Sequence, residues 1–270
     1  MSNLSVHSLF YYPIKSCAPN TLQSANITPS GIENDRRWMI VDAETGKFVT
    51  QRKDPKLARI RVKQESEQIA LQYLDGADSY IDVPVSKTSL IETEVWKDRQ
   101  QCWDQGEQVS TWLSEILDKD VRLAYIDDEQ LRTVDQDFAK PMDQVGFADG
   151  FPFLVATTTS IEQFNKDLGY EISIKRFRPN IVIEGDDLVP YAEDQWKAIE
   201  INGIRFDLVK PCSRCVMPSI NPETIERERA VIETLVATRK QGNATFFGQN
   251  AVHSPKQGLI SVGDKVEVIC

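Results

Sequence analysis

The sequence predicts a mainly β protein with some α, of the α+β class, built from barrels rather than from a doubly wound sheet. Short β-rich segments follow one another through the first hundred residues, and only three stretches show helical periodicity. Asn202-Gly203, set between two apolar runs, is the strongest hairpin signal in the chain. A length of 270 residues allows one large or two modest domains, and 41% hydrophobic with 27% charged residues is ordinary for a globular protein.

Leu4 to Ile14 reads as a strand that ends at Pro13-Ile14-Lys15-Ser16. Trp38 to Asp42 and Lys47 to Thr50 flank Ala43-Glu44-Thr45-Gly46 as a short hairpin, with glycine available for a positive φ. Leu57 to Lys63 and Gln68 to Leu74 are further strands. In the second, Ile69, Leu71 and Tyr73 alternate with polar residues, the period of a half-buried sheet. Val109, Trp112, Leu113, Ile116 and Leu117 then form one apolar helical stripe, with Asp104 and Glu107 as its expected capping box. Val121 to Ile126 is a strand, and the polar stretch Asp127 to Asp137 is the expected inter-domain connection.

Thr159 and Glu162 are expected to cap a helix carrying Ile161, Phe164 and Leu168, which Gly169 ends. Asn180 to Glu184 is a short apolar strand. Ala198 to Ile201 and Ile204 to Val209 are the arms of the Asn202-Gly203 hairpin, and a Lys210-Pro211 break follows. Ile225 to Thr238 reads as a charged helix and Val262 to Ile269 as the last strand.

The net charge of −10 argues against a general nucleic-acid surface or a surface for anionic membranes. A small anion in a local basic pocket remains compatible with it. The longest apolar runs, such as Phe151 to Ala156, are too short to span a bilayer, and the N-terminus lacks the pattern of a signal peptide. A cytoplasmic location is the expectation. Five scattered cysteines do not resemble a disulfide framework, and two histidines give little support to a His-rich metal site or a Ser-His-Asp hydrolase. The HExxH, Walker, GxSxG and GxGxxG patterns are absent.

The most informative residues are Cys212-Ser213-Arg214-Cys215, at the end of a strand beside Lys210. Neighbouring cations favour the thiolate, the form that attacks or binds metal. Four readings are open. The pair is half a zinc site, although no second pair at suitable spacing exists. It is a thioredoxin-type dithiol, although Pro218 and Pro222 discourage a helix directly after it. It supplies one thiolate to a soft metal. Or it is two buried, inert thiols. Arg176-Phe177-Arg178-Pro179-Asn180, Lys15-Ser16 and Asp35-Arg36-Arg37 each read singly as solvated basic turns; together with Arg214 they have the chemistry of an anion pocket.

In order along the chain stand Tyr12-Pro13-Ile14-Lys15-Ser16, Asp35-Arg36-Arg37-Trp38, Phe177-Arg178-Pro179-Asn180-Ile181-Val182-Ile183, Tyr191-Ala192-Glu193-Asp194, Cys212-Ser213-Arg214-Cys215, Phe247-Gly248-Gln249 and Val262-Gly263-Asp264. Each is weak alone. Seven in register resemble the MOSC superfamily over essentially the whole chain, in the manner of the amidoxime-reducing components and their bacterial relatives. The resemblance implies a MOSC N-terminal β-barrel domain over 1–122, packed on a MOSC β-barrel with peripheral helices over 123–270.

The same resemblance implies a molybdenum cofactor, a pyranopterin dithiolene with a terminal phosphate. Cys215 would be the metal ligand. Lys15, Ser16, Arg36, Arg178, Asn180, Ser213 and Arg214 fall on positions that hold the pterin and its phosphate. Phe151-Pro152-Phe153, after Asp149, matches a segment that helps wall the site, and Asp149 would stand behind the residues that touch the cofactor. The implied activity is reduction of the N–O bond of a small N-hydroxylated substrate. Certain relatives carry an iron–sulfur domain; this chain has no cysteine cluster for one, so a separate electron-donor protein is expected. The alternatives are a cofactor or sulfur carrier without turnover, and a thiol–disulfide protein using Cys212 and Cys215.

Overall fold

The computed structural model describes residues 3–65, 68–74 and 78–270. Seven strands close a barrel. In chain order they are β1 (Leu4–Tyr11), β2 (Phe153–Thr157), β3 (Ile181–Glu184), β4 (Ala198–Ile201), β5 (Ile204–Ser213), β6 (Ala244–Ser254) and β7 (Lys265–Ile269). Around the barrel the order is β2-β3-β1-β7-β4-β5-β6, and β6 pairs back onto β2 to close the ring. Only β2 and β3 run parallel in this ring; they are joined by a helix, the crossover that a parallel pair requires. Leu4, Val6, Leu9, Phe153, Val155, Ile181, Ile183, Ile199, Ile201 and Phe206 fill the interior.

The N-terminal half adds a half-barrel. A meander of Ile60–Glu65, Gln68–Leu74 and Asp78–Pro84 lies beside a four-stranded sheet of Trp38–Asp42, Val121–Tyr125, Asp98–Asp104 and Leu90–Val95. Helix α1 (Glu107–Leu117) covers both, and Val109, Leu113 and Leu117 share one core with Trp38, Ile40, Ile69 and Leu71. The predicted apolar stripe and the predicted period-2 strand are therefore the faces that meet. Helices α2 (Thr158–Leu168) and α3 (Arg229–Arg239) pack on the barrel through Phe164, Val231, Leu235, Phe177 and Phe247.

β1 hydrogen-bonds to β3 and β7, so the first strand of the chain is an interior stave of the barrel that the last 120 residues otherwise build. The segment after it threads the seam. Lys15 N donates to Trp38 O at 2.8 Å, Trp38 N to Pro13 O at 3.0 Å, Arg36 N to Tyr12 O at 2.8 Å and Ala18 N to Ile60 O at 3.0 Å.

Several local expectations are corrected. Leu57 to Lys63 is not one strand: Asp54 caps a 3₁₀ turn, Pro55–Arg59, and the strand starts at Ile60. Lys47 to Thr50 makes only isolated bridges, from Lys47 and Phe48. Gly106, not a capping box, starts α1, because Asp104 and Glu107 are both engaged by Arg122. The cap of α2 is Thr157, whose Oγ1 accepts from Ser160 N at 3.2 Å, rather than Thr159. Helix α3 begins at Arg229, later than expected, and the last strand at Lys265. There is no break at Lys210-Pro211; β5 runs through to Ser213 with two register shifts.

Candidate functional site

Three cations from three separate segments, Arg36, Arg178 and Arg214, gather around Tyr12. Its ring is sandwiched between the guanidiniums of Arg36 and Arg178, each 4.1 Å from the ring centroid. The Tyr12 hydroxyl donates to Pro179 O at 3.0 Å, and its backbone N donates to Asp35 Oδ1 at 2.7 Å. Arg214 and Lys15 flank this pair. Arg214 Nη2 donates to Phe177 O at 2.8 Å, the carbonyl next to Arg178. Lys15 Nζ donates to Phe147 O at 2.8 Å, and Phe147 N donates to Arg36 O at 2.7 Å. The expectation that each of these is a solvated turn fails: Lys15, Ser16 and Arg36 are buried.

The backbone is bent to bring them in. Ser16 (φ +69), Arg36 (φ +49) and Arg178 (φ +58) all adopt the left-handed region, uncommon for residues with a side chain. Ser16 is the third residue of a turn that Cys17 N closes onto Ile14 O at 3.1 Å, a place usually given to glycine. Arg178 caps the 3₁₀ turn Ile174–Phe177, whose Phe177 ring stacks on Phe247 at 3.9 Å. Gly146 is required beneath Arg36, since a Cβ there would lie 2.7 Å from the Arg36 carbonyl oxygen.

The charges are unevenly neutralised. Asp35 pairs with Arg36 at 2.5 Å and Asp149 with Lys15 at 2.5 Å. Arg178 and Arg214 form no ion pair among the described residues. Arg178 Nη1 donates to the Cys17 carbonyl at 2.7 Å, while its Nη2 and the Nε of Arg214 are buried without a partner. Arg178 is half-exposed as a residue, but its guanidinium end lies away from water; burial, with Arg36 second, lowers its pKa to about 10. Burial also pushes the Lys15 ammonium below its usual value, with Asp149 opposing. The cluster therefore carries more positive than negative charge, inside a protein whose net charge is −10.

Asn180 is fully enclosed and its amide is spent within the protein. Oδ1 accepts from Leu154 N and Arg36 Nη1, each at 3.2 Å, and Nδ2 donates to Phe10 O at 3.2 Å. It ties β1, β2 and Arg36 together. Ser213, exposed, ends β5 opposite Phe246. Arg214 N donates to Thr245 O at 2.7 Å, which holds the strand's tail against β6. Cys215 follows as an exposed thiol, whereas Cys212 is half-buried and its Sγ accepts from Arg214 Nη1 at 2.9 Å. The reading of two buried inert thiols is overturned for this pair. It describes Cys17 instead, which burial pushes up to about 12. Among the described residues no three His, Cys, Asp or Glu side chains gather as a metal cluster.

Residues 3–120 match the MOSC N-terminal beta barrel domain, and residues 142–267 match the MOSC domain. The mitochondrial amidoxime-reducing component 1 of Mus musculus is 31% identical, over 98% of this chain and 82% of its own. The chain belongs to the MOSC superfamily. The human mitochondrial amidoxime-reducing component 1 is 29% identical over 98% of this chain and 83% of its own length. The molybdenum cofactor sulfurase of Danio rerio is 30% identical over 98% of this chain, which spans 34% of that protein. The seam between the two MOSC-family regions is where the cation pocket lies. Tyr12, Cys17 and Phe147 complete it, and none was singled out from the sequence. Tyr12 lay inside a recognised segment, but its role needed the two guanidiniums in place. Among the described residues no helix is long and apolar enough to cross a membrane.

Proposed function

We propose that this chain binds a molybdenum cofactor between its two halves and uses it to reduce the N–O bond of small N-hydroxylated compounds, with electrons from a separate donor protein. One observation carries the cofactor assignment: Arg178 and Arg214 each hold a buried N–H donor without a partner, and Arg214 adjoins the exposed Cys215 thiol. A terminal phosphate supplies the missing charge and acceptors, and charge-assisted bonds to it satisfy both orphans. Cys215 provides one soft protein ligand, so a metal held there must bring most of its ligands with it, as a dithiolene-bound molybdenum does. The residues present thus fit the group.

In this reading Arg178 and Arg214 hold the phosphate, Lys15 and Ser16 line its approach, Arg36 sets Arg178 in place through Tyr12, and Cys215 anchors the metal. Asn180 and Asp35 position rather than bind. Bound there, the cofactor supplies the two-electron reduction, and the protein binds, orients and shields it. The names of the amidoxime-reducing relatives support the substrate class.

A carrier without turnover is the second reading, favoured by the equally full match to the cofactor sulfurase. Elemental analysis of protein from a cofactor-producing host separates these ideas. Near-stoichiometric molybdenum in the wild type, lost in Cys215→Ala and retained in Cys212→Ser, is the expected result. Metal in neither protein sinks the cofactor reading. Metal without benzamidoxime reduction, when a flavoprotein–ferredoxin donor system is added, leaves the carrier.

A further inference from the structure

Strands Leu90–Val95 and Asp98–Asp104 are joined by the two-residue turn Trp96-Lys97, closed by the pairing of Val95 with Asp98. Trp96 adopts φ +57, at a hairpin position that ordinarily takes glycine or asparagine. A bulky residue held in this strained conformation points to a role for its side chain. The indole is 43% exposed. It is nonetheless fixed: Nε1 donates to Asp149 Oδ1 at 3.2 Å, the Arg52 guanidinium lies 4.7 Å over the ring, and Phe48 meets it edge-on at 5.0 Å.

The same Asp149 oxygen accepts from Lys15 Nζ at 2.5 Å, and that Nζ sits 5.4 Å from the Phe48 centroid. Phe48, Trp96, Asp149 and Lys15 thus form a closed circuit, with Arg52 lying on Trp96, and share Lys15 with the cation cluster. The Asp149 side chain is 75% exposed, and no described residue donates a hydrogen bond to its Oδ2. Lys15 pairs with it, and Arg52 adds a further positive charge nearby. The free oxygen is thus better suited to a neutral hydrogen-bond donor than to a further cation.

We propose that Trp96 and Asp149 form the substrate-recognition wall at the mouth of this pocket. Asp149 Oδ2 accepts from an N–H group adjacent to the N–OH of the substrate, and the exposed indole surface packs on the planar group beside it. The ligand class is uncharged N-hydroxylated amidines and guanidines with an amino group on the carbon beside the N–OH, in preference to hydroxamic acids, which carry a carbonyl acceptor at that place and keep their one N–H on the hydroxylated nitrogen. This assignment rests on the reductase reading for its ligand class. A mere clasp between the hairpin and the barrel predicts no effect on ligand choice.

The test is calorimetric binding to the cofactor-loaded protein with no electron donor present. Three probes are used: benzamidoxime, benzohydroxamic acid and acetamidoxime. Asp149→Asn is expected to cut the preference for benzamidoxime over benzohydroxamic acid by about tenfold, while Asp186→Asn, an equal charge change on an exposed turn, leaves it unaltered. Trp96→Ala is expected to cut the preference for benzamidoxime over acetamidoxime about tenfold, with Trp96→Phe keeping most of it. Unchanged preferences in folded Asp149→Asn or Trp96→Ala protein, with only a lowered Tm, overturn the wall. Should Asp149→Asn fail to fold, the Trp96 pair decides alone. Turnover of benzamidoxime with both preferences unaltered sinks the wall and leaves the reductase reading standing. Asp149-dependent binding without any turnover does the reverse.

Discussion

Arg178 concentrates the tension of the site in one residue. Its backbone is left-handed, its guanidinium is stacked on Tyr12 beside Arg36, and one of its N–H groups has no partner. Such a group costs stability in the cofactor-free protein, a cost that the proposed bound phosphate would offset. Arg178→Met is therefore expected to leave the Tm of cofactor-free protein unchanged or raised, while molybdenum retention falls about tenfold or more. Thermal denaturation beside elemental analysis reads both. His253 offers a second residue-scale prediction. It is buried against Phe153 and Phe206, Nε2 donates to Thr28 O at 2.9 Å, and burial lowers its pKa to about 4. In the unfolded chain this histidine takes up its proton near pH 6.5, about its ordinary value. Between those values the unfolded state binds more protons, so its contribution is complete above pH 6.5 and is lost as pH falls toward 4, by roughly 1.4 kcal/mol per unit. Urea midpoints at pH 7.5 and pH 5 check this. His253→Gln, which keeps a donor for Thr28 O, is expected to flatten the dependence.

Among the elements, β6 and the 3₁₀ turn before Arg178 bear most on the site. Gly248 on β6 has φ +74, and a Cβ there would lie 2.8 Å from the Val155 carbonyl oxygen, where β6 closes onto β2. Gly248→Ala is expected to destabilise the protein by about 2 kcal/mol, measured by urea denaturation. The turn Ile174–Phe177 is anchored by Phe177, stacked on Phe247 and packed edge-on against Phe164. Its carbonyl also receives Arg214. Phe177→Ala is expected to cost about 3–5 kcal/mol and to loosen both arginines together, so cofactor retention falls with stability. That shared loss distinguishes it from Arg178→Met. The strand expected to stop at Lys210-Pro211 continues because proline removes only a donor. Register shifts on either side let β5 carry Cys212 and Ser213 along β6.

At the scale of the whole molecule, barrel closure depends on the first strand. Without β1, the facing edges of β3 and β7 would both be open. A fragment of residues 123–270 is expected to aggregate or to give a poorly dispersed amide NMR spectrum. Adding a peptide of residues 3–18 is expected to restore part of the dispersion, since it supplies both the missing stave and the Lys15–Ser16 turn. A folded fragment without the peptide would show that six strands suffice.

Much was legible in the sequence because it rests on local physics. The mainly β content, the α1 stripe, the Gln68–Leu74 alternation and the Asn202-Gly203 hairpin follow from propensity and periodicity over a few residues. The cationic and cysteine segments were also readable, as residue types with a chemistry. Capping was read less well, because Asp104 and Glu107 are drawn to Arg122 from a distant strand. What the chain could not show by itself is convergence. Lys15, Arg36, Arg178 and Arg214 meet because β1 enters a barrel built from the other end of the chain. Asn180 is a strut because that closure surrounds its amide with Phe10, Leu154 and Arg36. Arg214 lies on Cys212 and leaves Cys215 exposed. The sequence by itself determined which elements form and which charges are available. Tertiary structure alone decided which charges lose their partners on burial, because desolvation and pairing also depend on remote neighbours, as Lys15 on Asp149 and Arg178 on Cys17 show.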